Sequence, residues 1–246
     1  MPQPVHYIPV ITTCFALVFS LLVFMRYGEK GRGAHLLWWG TGIFIYGVGT
    51  FTEGFVTLFG WNETIFRTWY IAGALLGGMP LAQGTVSLLL KRKTANILTL
   101  FVVPYFLIAA VCIMMAPLDP ALVEPHRLSG SVIAEDWQWV RAFSPLINLY
   151  ALIFLAGGAA YSAYRFKKSP KTYHRYIGNI FIAVGALLPG IGGSFTRYGY
   201  VEVLYVTELL GLTCIYIGYK YNIQNKVISR DEIEIEEQIA AGVSAG

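Results

Sequence analysis

Tyr176–Tyr221 reads YIGNIFIAVGALLPGIGGSFTRYGYVEVLYVTELLGLTCIYIGYKY, and its interpretation decides the fold. Two apolar stretches flank Arg197-Tyr198-Gly199-Tyr200, a tight turn with one charge in it. Each stretch reaches the ~20 residues needed to cross ~30 Å of hydrocarbon as a helix. The pair therefore reads as a transmembrane hairpin. Its first helix holds Gly185-Ala186-Leu187-Leu188-Pro189-Gly190-Ile191-Gly192-Gly193, poor in side chains and loosened by a proline. Its second helix holds Glu208, a carboxyl with apolar sequence on both sides. Positions symmetric about Gly199 lie level, which sets Glu208 beside Gly190.

Working outward, further uncharged runs follow the same pattern: Tyr7–Phe24, Leu36–Thr52, Thr68–Leu90, Thr94–Leu118 and Ala142–Tyr164. With Tyr176–Thr196 and the Glu-bearing run Val201–Tyr221, they give seven spans. The composition agrees, at 56% hydrophobic and 13% charged residues. Soluble domains carry about a quarter charged residues. The expected fold is all-α, a seven-transmembrane-helix bundle over residues 1–221 with a short, partly disordered tail over 222–246. The expected setting is the lipid bilayer of a cell membrane, the bacterial cytoplasmic membrane. Met1–His6 has no Lys or Arg and no small-residue cleavage site precedes Arg26, so the first span reads as retained and not as a signal peptide.

Basic residues give an orientation. Fourteen of the 18 Lys and Arg fall on the side of Arg26–Arg32, Lys91–Lys93, Arg165–Arg175 and the tail; Arg67, Arg127, Arg141 and Arg197 fall on the other. Cytoplasmic loops hold the excess of positive charge. The N-terminus is therefore expected outside and the C-terminus inside. This placement also accounts for the formal charge of +4 without nucleic acid. The outer loop Asp119–Asp136 is the longest, and His126–Ala134 could form a small hairpin over that mouth. Trp38-Trp39 reads as part of the interfacial aromatic belt. Gly77-Gly78-Met79-Pro80, just before Gln83, marks a loosened helix, either a packing kink or a binding-site kink.

Charges at depth need partners. Glu53 and Arg67 are symmetric about Gly60, so an ion pair is expected there; Arg197 and Glu202 are expected to pair across the last hairpin. Glu208 has no such partner. Two readings stay open: a protonated acid hydrogen-bonded to a neighbouring helix, or a proton or ligand site lined by Gly190, Gly192 and Gly193, with Asn148 and Gln83 contributing.

Several chemistries lack their residues. Every lysine lies at or beyond the cytoplasmic ends, so no Schiff-base lysine sits mid-span. His6, His35, His126 and His174 lie at span edges or in loops, which leaves bis-histidine haem, a zinc site and a histidine-based catalytic triad without ligands or base. Cys14, Cys112 and Cys214 lie on three different spans and read as inert buried thiols. No cofactor or metal is expected, and a catalytic role is the weaker class.

At Lys171–Tyr221 the order is a basic loop ending His174-Arg175-Tyr176, then Gly185–Gly190, an outer turn and Tyr216-Ile217-Gly218-Tyr219-Lys220-Tyr221. This resembles the seven-helix membrane input region found ahead of many bacterial histidine kinases. The resemblance implies sensing. It also implies an output domain, whereas only 25 residues follow Tyr221, so a separate cytoplasmic signalling partner is the expectation. The leading functional expectation is a receptor-like or interaction module for a small lipophilic ligand entering from the outer half, or for a partner protein. The alternatives are a small-solute or proton-coupled transporter using Glu208, and a structural subunit of a larger membrane complex.

Overall fold

The computed structural model describes residues 4–29, 33–124, 127–167, 170–196 and 198–223. Within them are seven helices long and apolar enough to cross a membrane: α1 Pro4–Glu29, α2 Ala34–Phe59, α3 Glu63–Leu89, α4 Arg92–Met115, α5 Glu135–Phe166, α6 Tyr173–Thr196 and α7 Val201–Ile223. No strand occurs among the described residues, only isolated bridges Leu118–Ile133 and Glu124–Arg127 in the long loop. The all-α, seven-helix expectation is thus met. The expected tail beyond residue 223 lies outside the described residues, as do Arg197, His126 and Lys168.

Each helix packs on its neighbour in sequence, and α7 returns to α1 to close the ring. α3 also meets α5 directly, which pushes α4 to the periphery with little of its surface buried. α2 and α3 are the inner helices. Small residues make that possible, because they let helix backbones approach where lipid gives no hydrophobic drive for association. A Cβ placed on Gly49 would lie 3.3 Å from the Cα of Gly73, so α2 and α3 nearly touch there. Trp39 is partly buried between two helices. Its indole lies over Gly84 and donates to Leu81 O at 3.1 Å, wedging α2 against α3.

α3 is not a regular helix. Its backbone switches to a π turn over Tyr70–Leu75, with Leu76 N bonding Ile71 O at 3.0 Å, and resumes at Met79 with Pro80 in the first turn. The loosening anticipated at Gly77–Pro80 is present, and the π turn begins two helical turns earlier. A second π turn, Leu152–Gly157, lies in α5. Single π turns inside α-helices gather at functional sites.

One end of the bundle is capped by residues 117–124 and 127–134. Asp119 N bonds Val132 O at 2.8 Å and Ala134 N bonds Pro117 O at 2.9 Å, which folds the loop back on itself. Val132 and Ile133 are thereby buried among Phe66, Tyr70, Ile113 and Val140. Arg127 ties this cap to the end of α6 by donating to Thr196 O at 2.7 Å. The apolar interior falls into two clusters, one beneath this cap and one centred on Phe19, Ile43, Leu81 and Leu212 of α1, α2, α3 and α7.

Candidate functional site: a buried carboxyl pair beside a lateral groove

Glu53 sits on α2 about two turns from the capped end, at 5% exposure. The anticipated ion pair with Arg67 is not formed. Arg67 instead bonds Glu63, four residues earlier on the same helix, at 2.8 Å. It also donates to two carbonyls at the end of α4, Ile113 O and, at 3.0 Å, Ala116 O. A local i,i+4 partner and two otherwise unpaired helix-end carbonyls outcompete a carboxyl on the next helix. Glu53 accepts from the indole of Trp69 at 3.1 Å and faces Glu208 on α7.

Glu208 therefore does have a neighbour, and it is another acid. The two carboxyl groups are close enough to interact with each other. As a residue Glu208 keeps partial exposure, but its Oε2 is sealed from solvent, as is the Oε2 of Glu53. Among the described residues no donor reaches either Oε2. Tyr46 on α2 donates to the backbone carbonyl of Glu208 at 3.0 Å, which fixes α2 against α7 at this depth. Tyr205, one turn earlier on α7, is buried and packs its ring edge-on against His6, with centroids 6.2 Å apart. Outside it, His6 Nε2 lies 3.6 Å from Glu202 Oε1. Glu202 was expected to meet Arg197, which is outside the described residues.

The rest of the anticipated pocket is arranged differently. Gly192 is packed tightly against α7: a Cβ there would overlap Thr207 Oγ1 and lie 2.8 Å from Leu204 Cα. Gly190 and Gly193 face open space with nothing within 4 Å. Gly192 thus leaves no gap on the face that meets α7; it lets α6 and α7 close on each other there. Asn148 is exposed on the outer face of α5, away from Glu208. Gln83 is fully buried at 0% exposure and joins three helices. It accepts from the Tyr150 hydroxyl of α5 and donates to Thr99 Oγ1 at 2.6 Å and Ala95 O at 3.2 Å on α4.

A groove absent from the sequence reading lies between α2, α3 and α4, with a volume of about 540 Å³. Ile45, Val48, Ile71, Ala72, Leu76 and Met114 line its apolar depth. Glu63, Thr64, Arg67 and Thr68 form its lip toward the capped end. Ile71 and Ala72 belong to the π turn, and Trp69, which holds Glu53, immediately precedes it. The only sequence signal for this groove is the Gly-Gly-Met-Pro break in the same helix.

No group of three or more His, Cys, Asp or Glu side chains among the described residues has the arrangement of a metal site. Comparison with protein-family models, curated proteins and solved structures gives no match to this chain.

Proposed function

We propose that the chain is a non-catalytic, receptor-like module of a bacterial cytoplasmic membrane, taking a small lipophilic ligand from the lipid into the groove between α2, α3 and α4. The groove itself carries this reading. Its apolar depth and its threonine, glutamate and arginine lip suit a molecule with a hydrocarbon body and a small polar head. It lies between membrane-spanning helices, at the depth where such a ligand partitions. The carrier alternative rests on Glu208, and the α6 glycine that meets α7 near that depth, Gly192, is in close helix contact and adds no room for a solute. A ligand against Ile71 and Ala72 presses on the π turn and, through Trp69, on Glu53 and its contact with α7. Movement of α7 would then be read by a cytoplasmic signalling partner.

A long-chain carboxylic acid bearing a diazirine tests the groove. Photolabelling is expected to concentrate on Met114, Leu76 and Ile71. Ala72→Phe should lower it about tenfold, the effect of losing ~1.4 kcal/mol of binding. Labelling of Leu100 and Phe101, each 71% exposed on the outer face of α4, should stay unchanged. Equal labelling of the groove and of that outer face would mean bulk lipid contact and no binding site.

The orientation belongs to the same proposal. The fourteen basic residues on one side support an N-terminus outside the cell and the capped end facing outward. On a background without native cysteines, Ser131→Cys should react with an impermeant maleimide in intact cells, and Lys93→Cys only after permeabilisation. The opposite pattern inverts the topology and puts the groove lip in the cytoplasmic half.

A further inference from the structure

Glu53 and Glu208 present two acceptors to each other at a depth where an isolated charge is expensive. The neighbouring contacts that are made leave both Oε2 atoms unmet. Trp69 satisfies Glu53 Oε1, Tyr46 satisfies the Glu208 carbonyl, and neither donates to an Oε2 atom. No Lys or Arg among the described residues forms an ion pair with either carboxyl; the ion pairs present involve Glu63, Glu124 and Glu202. Two carboxyl groups can hydrogen-bond only when one carries a proton, and two carboxylates forced together without one repel strongly in a poor solvent. A missing donor between two sealed acceptors is the signature of a cation too small to need its own cavity.

We propose that Glu53 and Glu208 form a binding site for one exchangeable proton, loaded from the capped end of the bundle by way of Tyr205. Titratable and charged groups surround the pair. Tyr46 on α2 and Tyr205 on α7 both interact with the pair; Tyr205 also interacts with Glu202 and Arg127, and its ring meets His6, which lies 3.6 Å from Glu202. A proton delivered by water at the His6–Glu202 rim passes to the pair and takes its charge from two negative to one. Release returns that proton to water by the same path, and no other bond forms or breaks. Because Trp69 holds one member of the pair and α7 carries the other, loading draws α2 and α7 together and loss of the proton drives them apart. This site is separate from the lipophilic groove and stands without it.

Infrared difference spectroscopy on protein reconstituted in vesicles tests the proposal. At neutral pH the wild type should show the C=O band of a buried, protonated carboxyl, shifting on transfer to deuterium oxide. Glu53→Gln and Glu208→Gln should each remove the band, since the remaining acid then receives its hydrogen bond from an amide. Tyr205→Phe should keep the band and slow its deuterium shift several-fold. Should a glutamine variant fail to fold, the wild-type band and the Tyr205→Phe exchange rate still decide. No such band in the wild type, or a band that survives both glutamine variants, overturns the assignment. A band lost when choline is replaced by sodium makes the site one for a metal cation, which also overturns it.

Discussion

Gly192→Leu should destabilise the protein severely, while Gly190→Leu, two residues away on the same helix, should be nearly neutral. The α6–α7 hairpin is the most extensively packed pair in the bundle, and its contact is made by glycines on both helices. A Cβ on Gly185 would lie 2.5 Å from Gly211 O, and one on Gly211 would lie 2.8 Å from Gly185 O. Near the other end, a Cβ on Gly218 would overlap Gly178 O, and one on Gly178 would lie 2.8 Å from Gly218 O. At Gly192 the nearest atoms are the short Thr207 side chain and the α7 backbone, which cannot swing away. Thr207 is itself bonded back to Val203 O at 2.8 Å and Leu204 O at 3.0 Å. Overpacking a closed contact costs ~1–3 kcal/mol and more where backbone must shift. Gly190 and Gly193 have no atom within 4 Å, and a residue with better helix propensity there changes stability by about 0.5 kcal/mol or less. Thermal unfolding in detergent, followed by size-exclusion fluorescence, separates the two. Equal losses for Gly190→Leu and Gly192→Leu would mean that α6 does not meet α7 on this face.

That contrast shows what one sequence can and cannot convey. The register of the last hairpin was legible to within two residues: Gly192 meets Leu204 and Thr207, and Gly185 meets Gly211, close to the positions that symmetry about Gly199 pairs. The direction of each side chain was not. Neighbouring residues on a helix point ~100° apart, so a depth argument fixes height and leaves the azimuth open. Glu208 was placed at the right depth and on the wrong face; it turns toward α2 and away from the glycines of α6. Glu53 and Arg67 failed in the same way. Arg67 points to the end of α4, and Glu53 is held by Trp69.

Spans were readable because membrane solvation acts on composition, which each stretch carries by itself. The Glu53–Glu208 pair was not, because α2 and α7 share no turn and no hairpin arithmetic links them. One signal was available. Both acids lie about two turns from the same end of the bundle, each without a cation on its own helix within a turn on either side. Two unexplained acids at one depth are candidates for each other. The groove had a fainter trace. A π turn adds one residue to a helical turn and leaves no mark in hydropathy, so only the neighbouring Gly77-Gly78-Met79-Pro80 hinted at an irregular α3.

Gln83→Leu should destabilise the bundle by ~1–2 kcal/mol, and Tyr150→Phe should recover most of that loss. Gln83 spends its acceptor on the Tyr150 hydroxyl and its amide hydrogens on Thr99 and Ala95, so α3, α4 and α5 meet at one side chain. Leucine fills similar volume, so the loss is one of hydrogen bonds and not of packing. The partners do not suffer equally. Thr99 Oγ1 retains its own bond to Ala95 O at 2.9 Å, which also satisfies that carbonyl. Tyr150 has no such reserve, and its hydroxyl is stranded between helices. An unmade hydrogen bond at a buried group costs ~1–3 kcal/mol, whereas replacing both partners with apolar groups can be nearly neutral. Interhelical hydrogen bonds in membranes sit at the lower end, ~0.6 kcal/mol on average with a maximum of ~1.7. The double variant Gln83→Leu/Tyr150→Phe should therefore be milder than the sum of its singles, by about 1 kcal/mol in a stability cycle. Strict additivity would mean that Tyr150 does not depend on Gln83. Gln83→Glu adds a second check, because it keeps the acceptor for Tyr150 and removes the amide donors. It should cost less than leucine if the Tyr150 bond dominates, and as much if the contacts to α4 carry the latch.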